Sequence, residues 1–186
     1  MDSRPIRLLV VSPQPVHNEG CSLRLVAAAP DIALTVAYCS LPEPKLWRGP
    51  EYLTKQLFTS ALPEGYEWIG IPNTAYRQRL DRFWGLWNPR IVSLIRRGAY
   101  DCCIVYGYGY ASCWMAMAAA RWVGTPLVLT TDATTLESVS GSRWRRLRKR
   151  MLLPWIYRSA DLVMAPSTAT VAPSSLTLTS SRPCSR

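Results

Sequence analysis

The sequence predicts an α/β fold with a doubly wound, mainly parallel sheet and helices on both of its faces. The first observation is a strand–loop–helix–strand unit at residues 102–132, in which two short apolar runs flank an apolar helix. The second is that neither run alternates apolar and polar residues, so we expect both strands to be buried on two faces. The third is that strands and helices alternate along most of the chain, which is typical of a parallel sheet.

Each element of the central unit has its own local signal. Residues 102–106 form a strand-like apolar run, and residues 107–110 (Gly-Tyr-Gly-Tyr) form a loop. Residues 111–123 are apolar all round and long enough for a buried helix, which Gly124 is expected to close. Residues 126–131 form the second apolar run. Because a strand, a crossover helix and a further strand favour parallel pairing, this unit is the predicted centre of the sheet.

Four further elements are expected ahead of this unit, separated by prolines or polar loops. They are a strand at residues 6–12, a helix at 21–29, a strand at 32–39 and a strand at 66–71. Residues 14–20 are interpreted as a polar loop. Residues 40–65 are interpreted as a long loop with a short helix near residues 52–57, because four prolines interrupt them. Residues 74–87 are rich in Arg, Trp and Tyr and receive no assignment.

A helix is expected to begin at Asn88, because asparagine is a good cap and Pro89 suits the first helical position. Gly98 is expected to end it. The apolar face of this helix consists of Ile91, Leu94 and Ile95.

The chain after the central unit completes the pattern and then leaves it. A basic helix is expected at residues 143–157 and a last strand at residues 161–165. Residues 167–186 are half Ser or Thr and show no amphipathic period, which predicts a disordered Ser/Thr/Pro-rich tail. We therefore predict one Rossmann-like domain over residues 1–166 and a tail over residues 167–186.

Composition narrows the functional classes. The chain has 186 residues, enough for one domain with a core, and a net charge of +10. Its six cysteines form no CxxC pair, and the single histidine lies in no metal-ligand pattern, so we expect no metal and no disulfide framework. Cys102, Cys103 and Cys113 are expected to be buried as small hydrophobic side chains in a reducing cytosol. The start of the chain has too short an apolar core for a secretory signal.

Ligands of open parallel sheets sit outside the carboxyl ends of the strands, where the loops after each strand meet. The candidate ligand-binding residues are His17, Asn18, Glu19, Gly107, Tyr108, Gly109 and Asp132. The glycine loop would let a backbone approach a ligand, or it would only allow a tight turn. Asp132 could accept hydrogen bonds from a substrate hydroxyl, or it could cap the next segment. His17 could act as a base or be simply solvated.

From Arg143 to Arg158 there are seven basic residues and no acidic one. The candidate contacts with an anionic surface are Arg143, Trp144, Arg145, Arg146, Arg148, Lys149 and Arg150. A basic amphipathic helix suits an anionic membrane surface, although its apolar stripe could instead cover the sheet. Nucleic acid is disfavoured because the chain carries no RNP-type, zinc or helix-turn-helix signature. A non-catalytic membrane-surface or partner-binding module built on residues 143–158 is therefore the alternative to an enzyme.

The order of several segments resembles the N-terminal half of group 1 (family 4) glycosyltransferases of the GT-B fold. These segments are IRLLVVSPQP at the first strand, PDIALTVAYCS, LPEGYEW, NPRIVSLIRRGAYDCCIVYGY, PLVLTTDAT and SRWRRLRKRMLLPWIYRSADLVMAPS. The match covers roughly residues 5–167, and the combined order is more specific than any one piece. Two features depart from the family. The segment after the first strand is short, and Tyr106-Gly107-Tyr108 stands where some members carry a histidine, so no catalytic residue is transferred.

The resemblance implies an acceptor-side domain that works with a second domain holding a nucleotide sugar. The acceptor is expected to be lipid-linked or a polysaccharide in surface glycan synthesis, and no metal or other cofactor is expected. The expected location is the cytoplasm, peripheral to the inner face of the cell membrane. Since the resemblance stops near Ser167, we expect a truncated or frameshifted product that lacks the donor domain and is inactive alone.

Overall fold

The computed structural model describes residues 4–15, 17–41, 64–130, 154 and 156–164. The strands are Ile6–Ser12 (β1), Ile32–Tyr38 (β2), Glu67–Gly70 (β3), Cys102–Tyr106 (β4), Leu127–Thr130 (β5) and Leu162–Met164 (β6). The helices are His17–Ala27 (α1), Arg90–Gly98 (α2) and Ala111–Val123 (α3), and Phe83–Gly85 is a 3₁₀ turn. Residues 156–159 are also helical.

The strands form one six-stranded sheet of order β3-β2-β1-β4-β5-β6, and every neighbouring pair in it is parallel. The chain first builds outward from β1 to β3 and then returns to place β4 on the other side of β1. This reversal is the switch point at which doubly wound sheets bind ligands. The prediction of a doubly wound parallel sheet is therefore confirmed.

Two apolar layers cover the sheet because side chains alternate between its faces along each strand. On one face, Leu9 and Val11 of β1 pack with buried residues of α2 and α3. On the other face, Val10 packs with Leu23 of α1 and with buried residues of β2. The helices thus lie on both faces, as the sequence predicts.

The central unit agrees with its local signals. Helix α3 has the predicted bounds, and Gly124 ends it with a φ of 78°, in the left-handed region where glycine is unstrained. The Gly124 N–H donates to the carbonyls of Ala120 and Arg121, which satisfies the end of the helix. The prediction that β4 and β5 are buried on two faces is met fully on one face only, because their residues alternate between buried and partly exposed. Helix α1, on the less protected face, packs over β1 and β2 instead.

Helix α1 begins earlier than predicted, and the two ends of α2 lie near the predicted residues but are formed differently. Helix α1 begins at His17, so the loop expected at residues 14–20 is largely helical, and the carboxylate of Glu19 lies favourably in its first turn. Asn88 does not cap α2, because its side chain forms long-range hydrogen bonds instead. Ala99, rather than Gly98, takes the left-handed conformation after α2. Gly98 is required for space, since a Cβ there would lie 2.0 Å from Cε2 of Tyr100.

Among the cysteines in the described residues, Cys39, Cys103 and Cys113 are fully buried, whereas Cys102 is only partly so. Burial raises the pKa of Cys103 and of Cys113 to about 12. The prediction of a buried role is thus confirmed for Cys103 and Cys113 and wrong in degree for Cys102.

Other predictions concern parts of the chain outside the described residues. These are the helix near residues 52–57, residues 143–153 of the basic helix and the tail at residues 167–186. Of the helices in the described ranges, none is long and apolar enough to cross a membrane.

Candidate functional site

The carboxyl ends of the strands form one edge of the sheet. The strand pairing aligns Tyr38 with Gly70 on one side and with Ser12 on the other. It also aligns Tyr106 of β4 with Thr130 of β5. The switch point between Ser12 and Tyr106 lies in the middle of this row, so the ligand crevice is expected there.

A polar group lies on the face covered by α1, and we call Ser12, Glu19, Tyr38 and Tyr66 the edge cluster. Ser12 and Tyr38 end β1 and β2 at the carboxyl edge, whereas Tyr66 precedes β3 and joins the cluster only through its hydroxyl. The Ser12 hydroxyl lies 3.2 Å from Oε2 of Glu19 and 2.9 Å from the carbonyl oxygen of Gln14. The hydroxyls of Tyr38 and Tyr66 lie 2.8 Å apart. Helix α1 therefore brings a carboxylate to the end of β1, beside two joined phenols.

The environment keeps the Tyr38 phenol neutral. Burial raises the pKa of Tyr38 well above its ordinary value, and the hydrogen bond to Tyr66 and the negative charge of Glu19 raise it further. A neutral phenol can both donate and accept hydrogen bonds, as a sugar hydroxyl does. Because Ser12 and Tyr38 are buried, the members of the edge cluster that are open to a ligand are Glu19 and Tyr66, whose carboxylate and hydroxyl groups suit hydrogen bonds to a polyol.

Gln14 adds an unused acceptor next to the edge cluster. Its Oε1 atom is buried and receives no hydrogen bond from any described residue. A buried oxygen without a donor costs about 1–3 kcal/mol, so this oxygen would gain from a ligand hydroxyl.

The loop after β4 leaves its backbone open. Gly107 has a φ of 74°, which favours glycine, and its N–H donates to the carbonyl of Thr130 at 2.7 Å. A Cβ added at Gly107 or at Gly109 would meet no atom of the described residues within 4 Å. The conformation of Gly107 supports the interpretation as a turn, and the open space beside both glycines permits the close approach of a ligand. The two interpretations are compatible.

The two tyrosines of this loop, Tyr108 and Tyr110, pack on the face of the sheet opposite α1. The ring of Tyr108 packs against the core beneath α2 and α3, and burial raises its pKa. Its carbonyl accepts a hydrogen bond from Nε1 of Trp114 at 2.9 Å. The Tyr110 hydroxyl donates to the carbonyl of Leu80 at 2.6 Å. These contacts fix the glycine loop against the segment that precedes α2.

A second polar group, missed at the level of sequence, ties the edge together from within. Asn88 is fully buried, and its Nδ2 donates to the carbonyls of Cys39 at 2.9 Å and Ile71 at 2.7 Å. Its Oδ1 accepts from the Ser112 hydroxyl at 2.6 Å. One amide thereby joins the segments after β2 and β3 to the first turn of α3.

The structure brings together only part of the predicted site. Glu19 belongs to the edge cluster, and His17 and Asn18 lie in the same first turn of α1. Gly107, Tyr108 and Gly109 follow the neighbouring strand β4. Asp132 and the basic residues 143–150 lie outside the described residues, so their roles stay predictions. Within the described part of the chain, no group of three His, Cys, Asp or Glu side chains is placed to hold a metal.

Sequence reasoning missed Ser12, Tyr38 and Tyr66. Ser12 and Tyr38 end their strands at positions of the same parity as the apolar residues Val10 and Val36, which face α1. That periodicity could have identified both as polar residues at the carboxyl edge.

The parallel sheet with its switch point between β1 and β4 defines a Rossmann-like α/β domain. The sequence matches the family model of the glycosyl transferase 4-like domain over residues 12–174. The chain belongs to this family, and the resemblance to family 4 glycosyltransferases is confirmed. It is a glycosyltransferase-like domain with a six-stranded parallel sheet.

Other comparisons add little. No curated protein matches the chain. Among solved structures, the chain is similar to a crystal structure from Parabacteroides merdae ATCC 43184 of a protein provisionally named an oxidoreductase. The identity is 9% and the TM-score is 0.36, with 89% of this chain covered. The chain spans 32% of the length of that protein. This similarity is too distant to bear on fold or function.

Proposed function

We propose that this domain binds the acceptor in a sugar transfer from a nucleotide sugar, with the acceptor in the crevice at the β1–β4 switch point. The observation that carries the proposal is the edge cluster, a set of hydroxyl and carboxylate groups that includes the ends of β1 and β2, while Gly107 and Gly109 follow the neighbouring strand β4. The family match supports a glycosyltransferase reaction. The acceptor is a lipid-linked sugar or a polysaccharide in surface glycan synthesis.

The chemistry of the edge cluster suits a sugar more than a phosphate. Glu19 would repel an anion, whereas its carboxylate accepts hydrogen bonds from hydroxyls, and the partly exposed Tyr66 hydroxyl can donate or accept one. In the complete reaction the acceptor hydroxyl forms a bond to the anomeric carbon of the donor. The bond from that carbon to the nucleoside diphosphate breaks, and the hydroxyl proton is released. The donor would be held by a second domain, and we propose the inner face of the cell membrane as the place of the reaction.

The proposal is tested by NMR titration of the ¹⁵N-labelled chain with methyl glycosides of glucose, galactose, mannose and N-acetylglucosamine. We expect amide shifts at Ser12, Glu19 and Gly107 with at least one of these sugars. Glu19→Gln should weaken that sugar's binding about tenfold, since a hydrogen bond to a charged group contributes more than one to a neutral group.

Glu67→Gln is the matched control, because Glu67 is an exposed carboxylate that follows Tyr66 in the chain, so its side chain points to the opposite face of the sheet from the edge cluster. It should leave the binding unchanged. If no sugar of the panel shifts the edge resonances, or if Glu67→Gln weakens binding as much as Glu19→Gln, the acceptor site is not at this crevice.

A further inference from the structure

The segment between β3 and α2 exposes aromatic side chains that a folded domain would ordinarily cover. Tyr76 is 97% exposed, Trp84 66%, Trp87 38% and Phe83 36%. We call these four residues, with Arg77 and Arg82, the aromatic surface. Single exposed apolar residues are common, but a contiguous group of large aromatic ones indicates an interaction site.

Three rings of the aromatic surface, those of Phe83, Trp84 and Trp87, are contiguous, and Tyr76 lies in the same loop. The centroids of Phe83 and Trp84 lie 5.0 Å apart, and those of Trp84 and Trp87 lie 5.6 Å apart. Phe83 also contacts Trp114 of α3, with centroids 5.9 Å apart. The patch is therefore built on the body of the domain and not on a separate segment.

An internal network holds this loop in one shape. Oδ1 of Asn73 accepts from the backbone N–H groups of Ala75 and Trp87, and its Nδ2 donates to the carbonyl of Gly85. A Cβ at Gly85 would lie 1.6 Å from the carbonyl oxygen of Arg79, so only glycine fits there. Because this network already holds the loop in one conformation, docking through its aromatic rings costs less conformational entropy.

The charge of the loop is positive. Residues 74–90 contain four arginines and one aspartate, a net charge of +3 (four minus one). Arg79 and Asp81 form a two-point ion pair and neutralise each other. The exposed cations left beside the rings are Arg77, Arg82 and Arg90. Aromatic side chains flanked by arginines match the interface of an anionic bilayer, where amphipathic rings sit at the headgroup level and cations meet lipid phosphates.

Ring geometry favours a bilayer over an anionic glycan. A sugar chain stacks best on rings that share a plane, but Phe83 and Trp84 are inclined by 88° and Trp84 and Trp87 by 48°. A bilayer interface accepts rings at any inclination. We infer that the aromatic surface is a docking site for an anionic lipid bilayer, separate from the basic segment 143–158.

Docking through the aromatic surface would bring the crevice close to the bilayer. The loop follows the carboxyl end of β3, and Leu80 within it accepts the hydrogen bond of Tyr110 from the glycine loop after β4. A bilayer bound there lies at the same edge of the sheet as the edge cluster. The docked domain thus presents its crevice at the lipid surface, where a lipid-linked acceptor resides.

Vesicle co-sedimentation tests the inference with two lipid compositions, phosphatidylcholine alone and phosphatidylcholine with about 30% phosphatidylglycerol, an anionic fraction that attracts basic residues. The wild-type chain should bind the anionic vesicles and not the neutral ones. The Y76S/W84S variant should lower the partition coefficient at least about tenfold, because it removes the two most exposed rings from the interface. The R77Q/R82Q variant should lower it about 30-fold.

The matched controls are Trp122→Ser and Arg97→Gln. Trp122 is 70% exposed, as Trp84 is, but lies near the end of α3 that points away from the carboxyl edge. Both controls should bind as the wild type does. Every variant is also made with Arg145, Arg146 and Arg148 changed to Glu, so that any binding by residues 143–158 is subtracted. Thermal unfolding of each variant establishes that it folds.

The outcomes separate the inference from its rivals. Loss of binding in Y76S/W84S and R77Q/R82Q, with the controls unaffected, supports docking through the aromatic surface. The inference is refuted if either variant binds as tightly as the wild-type chain, or if the wild-type chain does not bind anionic vesicles. Binding of soluble polygalacturonate through the same residues, without vesicle binding, also overturns it and assigns the surface to a glycan. Because the glycoside titration uses no lipid, the two proposals fail independently.

Discussion

Asn88→Ala is expected to be the most destabilising single change at the carboxyl edge. The substitution removes both hydrogen bonds that Nδ2 donates, to Cys39 and Ile71, and the one that Oδ1 accepts from Ser112. The asparagine is fully buried, so water does not readily replace the lost partners. Each buried group left without a partner costs about 1–3 kcal/mol, which gives a loss of about 3 kcal/mol or more.

Urea unfolding followed by circular dichroism measures this loss. With a slope of about 2 kcal/mol per M, a loss of about 3 kcal/mol lowers the midpoint by about 1.5 M. Ser112→Ala removes only one bond of the network and should cost about 1 kcal/mol. Ser93→Ala is the control, because the Ser93 hydroxyl is exposed and bonds only within its own helix, and the change should stay within about 0.5 kcal/mol.

The pair of Asn88 and Ser112 permits a sharper test. Because the two side chains contact each other directly, their double variant should cost less than the sum of the single variants. An Asn88→Ala loss below about 1 kcal/mol, or strict additivity of the two changes, would refute the network as the tie between these segments.

Two further predictions concern backbone space and alkaline pH. Gly85→Ala should unfold or rearrange the loop before α2, because its Cβ would collide with the carbonyl of Arg79, and near-UV circular dichroism of the tryptophans should detect this. Stability should also fall as pH rises. The pKa of Cys103 and of Cys113 is raised to about 12 in the fold, so above pH 9 the thiols ionise in the unfolded chain first and favour it. Urea midpoints that stay constant from neutral pH to pH 11 would contradict this, and changing both cysteines to Ala should make the decline smaller, with the remainder due to groups such as Cys39 and Tyr38, whose pKa values burial also raises.

Local signals predicted the centre of the fold well. The bounds of β4 and α3 agree with the sequence because each is set by neighbouring residues, namely an apolar run, a glycine loop and the left-handed Gly124. The predicted start of helix α1 was too late, because polar residues in the first turn of a helix resemble a loop. Its start is fixed by contacts such as that of Glu19 with Ser12. Local patterns thus locate elements whose boundaries depend on their own residues.

Long-range contacts explain most of what sequence reasoning missed. Asn88 followed by proline has the pattern of a helix cap, but its amide bonds a carbonyl 49 residues away in the sequence. Every residue has a backbone carbonyl, so the residues around Asn88 do not indicate which distant carbonyl its amide will bind. Tyr66 likewise joins the edge cluster only because β3 lies beside β2. The crevice could be placed by topology, whereas its full set of side chains could not.

The two-residue period of the strands separates the two proposed surfaces at one edge. Ser12 and Tyr38 face α1, so hydroxyl and carboxylate groups gather on that side. The rings of Tyr108 and Trp114 pack on the opposite side, against which the aromatic surface is built. The glycine loop, Gly107 to Gly109, follows β4 and lies between these two sides. A lipid-linked sugar has the same division, with an apolar tail and a polyhydroxyl head. One sheet edge can therefore hold both parts of such a molecule, provided that the head reaches the edge cluster across Gly107.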